Sequence, residues 1–155
     1  MNKQLQIEYL KRKNKIRNLR NQILEILKVN DNNARSLDID EIISSRETAK
    51  VLWNMLPDEF DAYRYSNLDE QRVKGSKFLE KKQLDKKVII HFAWDSLCFE
   101  TTLENAWNSW YELNNLDSVE TYNTCIFPLP VDWYIIRAGV NLYPMVWRND
   151  KFEKE

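Results

Sequence analysis

The hydrophobic pattern changes period along the chain. Over residues 3–29, Ile16, Leu19, Ile23, Ile26 and Leu27 fall on one stripe in a segment without Pro or Gly. That spacing predicts a single long helix, and its Lys, Gln, Leu, Glu and Arg content agrees. The stripe is dense from Ile16 onward and sparse before it, where Tyr9 is its outlying member. The C-terminal half is therefore expected to dock and the first turns to project. Asn30-Asp31-Asn32-Asn33 ends the helix, since these side chains compete for backbone hydrogen bonds. A second helix is expected from a capping box, with Ser44 as N-cap and Glu47 three residues on. Its face would be Ala49, Leu52, Trp53 and Leu56, and Pro57 would stop it. Residues 58–75 read as a short helix and a loop, or as largely irregular structure. Gly75 and the charged run 80–87 lead into the first strand.

The second half is patterned as strands. Val88–Trp94 is almost continuously apolar, β-branched and aromatic, which predicts a central strand covered on both faces. Asp95-Ser96 is a turn signal, and Leu97–Phe99 reads as a short return strand. A second capping box, Thr101 with Glu104, opens an amphipathic helix carrying Leu103, Ala106, Trp107, Trp110 and Tyr111. Strands follow at Thr121–Phe127, Val131–Arg137 and Val140–Trp147, with Gly139 expected at positive φ. Pro144 places the last strand at an edge or a bulge, and 149–155 reads as a disordered tail. The expected fold is α+β: N-terminal helices, then a small mixed or antiparallel sheet of three to five strands, with the 102–113 helix on one face. One domain is expected over 1–155, made of a basic helix (1–30), a helical, acidic region (31–75), a β-α-β-β core (88–147) and the tail.

Charge alters this picture. The 155-residue chain has a formal net charge of -1, yet residues 1–30 carry net +6 and the remainder -7. Such asymmetry marks surfaces for partners. No apolar run approaches the roughly 20 residues of a membrane span, and no apolar core follows the N-terminal lysines as in a secretory signal. A cytoplasmic protein without membrane contact is expected. Cys98 and Cys125 lie in no metal-binding spacing and are expected to be buried free thiols, so no metal or cofactor is expected.

Candidate chemistry is sparse. His91 and Cys98 are close enough to face each other across a turn, and a Cys–His nucleophile would need an orienting group such as Asp95. A lone His inside an apolar strand is, however, the ordinary signature of a core histidine. Two glycines leave nothing to cradle a phosphate. Six Trp and seven Tyr, by contrast, favour recognition, because Trp, Tyr and Arg dominate interface hot spots. Asp58, Glu59, Asp61, Asp69 and Glu70 alternate with Tyr63 and Tyr65, and Trp94-Asp95 ends the first strand. Carboxylates would steer a basic partner and the aromatics Tyr63, Tyr65 and Trp94 would anchor it. No catalytic residue is assigned. A nucleic-acid partner acting through the basic helix is the alternative, disfavoured by the negative net charge of the remaining chain.

The segments "VIIHFAWD", "CFETTLENAWNSWYEL" and "TYNTCIFPLPVDWYIIRAGVNLYPMVW", over residues 88–147, resemble small bacterial immunity proteins of contact-dependent growth inhibition and other polymorphic toxin systems. The matching elements are Trp94-Asp95, the helix Thr102–Leu113, and Asp132-Trp133 with its hairpin. The resemblance implies a cytoplasmic, non-catalytic protein that binds and neutralises a cognate toxin domain, commonly a nuclease. Nuclease toxins are typically basic, which fits an acidic inhibitor. The resemblance leaves the oligomeric state open.

Overall fold

A computed structural model describes residues 2–55, 68–92, 97–109, 112–113, 116, 123–138 and 141–154. The fold is α+β, with helices α1 (Lys3–Lys28), α2 (Ile39–Asn54), α3 (Leu68–Leu79) and α4 (Leu103–Asn108) around one antiparallel sheet. The strands are β1 (Arg35–Ser36), β2 (Lys87–Phe92), β3 (Leu97–Thr102), β4 (Asn123–Pro128), β5 (Trp133–Ala138), β6 (Asn141–Arg148) and β7 (Lys151–Lys154). Their order is β1-β3-β2-β4-β5-β6-β7, so the sheet has seven strands rather than three to five.

Burial on both faces of β2 organises the layers. Successive strand side chains alternate sides. Val88, Ile90 and Phe92 pack in one core with Leu19, Ile23 and Leu27 of α1, Phe78 and Leu79 of α3, and Leu103 and Ala106 of α4. Ile89 belongs to the opposite core with Leu52 of α2, Phe127, Tyr134 and Tyr143. Helices therefore cover both faces, as the unbroken apolar run of β2 predicts, although the sequence assigned only the 102–113 helix to a particular face.

Helix α1 spans the expected residues. Asn2 caps it, accepting from the Leu5 amide at 3.0 Å. Its dense stripe docks, while residues 2–15 are exposed, Tyr9 at 60%. A polar latch fixes the docked end. Asn105 Nδ2 donates to the Leu27 carbonyl and to Thr101 Oγ1, both at 2.8 Å. Thr101 Oγ1 in turn donates to Asp31 at 2.7 Å. The hydroxyl holds the Asp31 carboxyl below the usual range, so the latch keeps its acceptor ionised at neutral pH.

Both helix starts differ from the sequence reading. Asp38 and Glu41 form the capping box of α2, so the helix begins six residues before Ser44 would have started it. Either pair satisfies the motif, but Arg35 grips Glu41 through two bonds of 2.7 and 2.6 Å and Glu100 through a third of 3.2 Å, which ties the earlier start to β1 and β3. The cap of α4 is Thr102, accepting from the Asn105 amide. Thr101 is committed to β3 and to Asp31. Helix α4 is described to Asn108, with Glu112 and Leu113 again helical; Trp110, Tyr111, Leu56, Pro57 and Gly139 lie outside the described residues.

Two further expectations are overturned in the C-terminal third. Residues 151–154 form β7 rather than a disordered tail. Asn149 and Asp150 take φ of 52° and 64°, the two left-handed positions of a tight hairpin that Asn and Asp tolerate. Phe152 then meets Trp147 and Tyr134 edge-on at 5.0 and 4.9 Å, which supplies the apolar contact that orders the segment. Consequently β6 is internal. Pro144 is accommodated because β7 pairs only from Met145 onward.

Helix α3 begins within the 58–75 segment, of which residues 58–67 lie outside the described residues, and Gly75 lies inside the helix rather than in a lead-in loop. A Cβ at Gly75 would overlap the Trp107 ring of α4. The missing side chain lets α3 close on α4, and Trp107 Nε1 donates to Ser76 at 2.9 Å. Gly75→Ala should therefore destabilise by roughly 1–3 kcal/mol through overpacking, although Ala is the better helix former by about 1 kcal/mol. Urea unfolding checks this; adding Trp107→Ala should relieve the clash, and an unchanged or raised midpoint in the single variant would contradict it.

Candidate functional site

The site assembled from the sequence falls mainly outside the described residues: Asp58, Glu59, Asp61, Tyr63, Tyr65, Trp94 and Asp95 all lie there. Asp69 and Glu70 are described. They are exposed in the first turn of α3, where carboxylates complement the positive end of a helix.

The His91–Cys98 pair is in contact. Cross-strand pairing of β2 with β3 sets the two residues opposite each other, and Cys98 Sγ lies 3.0 Å from His91 Nδ1. The same nitrogen is 3.0 Å from Ser45 Oγ on α2. All three residues are buried, with Cys98 at 0% exposure. Burial pushes the His91 imidazole down to about 4, with Arg46 adding to the effect, and the Cys98 thiol up to about 11. A Cys–His nucleophile needs a thiolate, whereas here both groups are neutral at pH 7. The cluster acts as a polar bolt between α2 and the sheet. A second bolt lies further along the helix, where the buried Tyr134 hydroxyl donates to the Leu52 carbonyl at 3.2 Å. Cys125, opposite His91 on β4, is also a buried free thiol, as expected from its spacing. Among the described residues no group of three or more His, Cys, Asp or Glu could hold a metal ion.

The outer side of α2 offers the clearest docking surface. A groove of about 300 Å³ runs between α2 and the sheet, lined by Asp40, Glu41, Ser44 and Thr48 on the helix and by Glu100 and Leu129 opposite. Leu129, at a cis peptide bond to Pro130, is 59% exposed. On the helix itself Ile39 and Ile43 are 73% and 51% exposed, one turn apart. Arg35 offsets part of the negative charge through Glu41 and Glu100. It draws Glu41 down to about 2, its guanidinium hydrogen bonds being the main cause, so Glu41 stays ionised across the physiological range. Sequence reasoning missed these residues because the capping box was placed at Ser44; the Asp38-x-x-Glu41 spacing was the available signal.

No family model, curated protein or solved structure matches the chain. Among the described residues, no helix is long and apolar enough to cross a membrane.

The bolt carries a pH signature. Unfolded, His91 takes up a proton near pH 6.5, but folded it does so only near pH 4. The unfolded chain thus binds more protons between these values, and stability falls as pH drops through that window, by at most about 3 kcal/mol. Above pH 6.5 the histidine contributes no pH dependence. Guanidinium unfolding at several pH values checks this: His91→Gln should flatten the dependence between pH 6.5 and 5, and an unchanged slope would contradict it.

Proposed function

We propose that this chain is a non-catalytic protein-binding module that neutralises a basic partner domain in the manner of an immunity protein, the partner being a bacterial toxin domain, commonly a nuclease. The observation that carries the reading is the outer surface of α2, where the exposed Ile39 and Ile43 sit among Asp38, Asp40 and Glu47, with Arg46 and Lys50 on the same helix, beside a groove whose Glu41 and Glu100 are paired with Arg35. Apolar anchors would supply the buried contact, while the surrounding carboxylates would speed encounter with a positively charged partner and reject acidic ones. The two polar bolts support this use, because they hold the opposite side of the same helix rigid against the sheet, and a preorganised surface loses less entropy on binding.

The resemblance to immunity proteins over residues 88–147 supports this partner class, and the exposed isoleucines of α2 support the choice of surface. Asp69 and Glu70 start α3, which packs on the other face of the sheet, so they fall outside the α2 surface.

Co-expression tests the proposal. The C-terminal toxin domain encoded beside this chain should arrest growth when expressed alone, and this protein should restore growth and co-purify with it. Ile39→Arg with Ile43→Arg should abolish both rescue and complex while leaving the melting temperature within a few degrees, since both side chains are exposed. Rescue undiminished by the double substitution would remove the α2 surface from the interface; arrest without rescue by the unaltered chain would remove the immunity reading.

A further inference from the structure

A second surface lies on the opposite face of the sheet and has the opposite charge. A groove of about 680 Å³ runs between α3 and β6. Its walls carry Lys74, Lys77, Lys81, Lys82 and Arg148, with Glu80 the single carboxylate among the described lining residues. Lys74 and Lys77 are one turn apart on α3, about 4.5 Å along its axis, and Lys81 follows just past the helix end. Lys74 Nζ donates to the Leu142 carbonyl at 3.0 Å, which fixes one cation at the groove wall. The Lys82 ammonium lies 5.0 Å from the centre of the Phe78 ring and 5.9 Å from that of Trp133, held by aromatic faces.

We infer that the α3–β6 groove binds the sugar–phosphate backbone of single-stranded nucleic acid. Three observations favour this ligand over an acidic peptide. The apolar side chains at the groove are mostly covered, with Phe78 7% exposed, Trp133 behind it 4% and Pro144 buried, so its apolar surface comes from the half-buried Val146 and the lysine stems. A peptide needs such anchors for affinity, whereas a phosphate chain is held by charge alone. Lys74, Lys77 and Lys81 also line the groove in succession along α3 and just past its end, so the cations form a row that suits a polymeric phosphate chain. Finally, α1, with net +6 over residues 1–30, packs on the same face of the sheet as α3, so a long polyanion has a second basic element within its reach. The groove is sized for one strand of a few nucleotides rather than for a duplex. The near-neutral total charge of the chain hides this surface because acidic and basic residues are segregated by position. The site is separate from the α2 surface and does not rest on it.

Fluorescence anisotropy with a labelled oligothymidylate, titrated with the full-length protein, tests the inference. Contacts to four phosphates predict a log–log salt slope near -3, a loss of about 50-fold between 50 and 200 mM salt. Lys77→Glu with Lys81→Glu should weaken binding more than tenfold at low salt and make the slope shallower. Arg46→Glu with Lys50→Glu, the same charge change on α2, should weaken it less than threefold. Circular dichroism and melting confirm that each variant is folded. The inference is overturned if there is no binding at 50 mM salt, if both double variants lose affinity equally, if duplex binds as tightly as the single strand, or if polyglutamate displaces the oligonucleotide at equal charge concentration.

Discussion

Strand β2 buries Val88, Ile90 and Phe92 on one side and Ile89 and His91 on the other, and neither set can face water without a cost of several kcal/mol. Both faces of the sheet must therefore be roofed. Helices α1, α3 and α4 roof one face and α2 roofs the other, so each outer surface belongs to a different helix set. The placement of His91 makes this demand sharper. A buried imidazole requires a partner, and Ser45 and Cys98 supply it, which fixes where α2 sits as well as that it must sit there.

The two roofs then diverge in character. On the α2 side, exposed isoleucines and carboxylates edge a small groove, and the helix beneath them is bolted to β2 and β5. On the α3 side, lysines and one arginine line a larger groove whose aromatic base is already buried. A protein surface and a phosphate chain are different ligands because one is recognised by desolvating apolar area and the other by neutralising charge. A single antiparallel sheet can present both because its faces are independent surfaces.

Much of this was legible in the sequence. The bounds of α1, its docked half and its exposed half followed from where the apolar stripe thickens at Ile16. The burial of β2 on both sides followed from its lack of alternation, and the buried thiols from their surroundings and spacing. What was not legible depended on contacts between distant segments. Two neighbouring capping boxes, at Asp38 and Ser44, are locally equivalent, and only the Arg35 bridge to Glu41 and Glu100 makes the first the start of α2. Gly75 looked like a loop residue because its partner, Trp107, is 32 positions away. The charged tail became β7 because Phe152 finds Trp147 and Tyr134, a cross-strand cluster that local composition cannot reveal. The candidate site suffered most: its acidic and aromatic residues were chosen by composition, whereas the α2 surface and the α3–β6 groove are products of tertiary placement.

The most direct test of the account is hydrogen–deuterium exchange of the protein free and saturated with the proposed toxin-domain partner. Slowed exchange at residues 39–48 and around Leu129, with α3 and β6 unchanged, is the predicted result. Slowing confined to α3 and β6, with the N-terminal half of α2 unaffected, would contradict it.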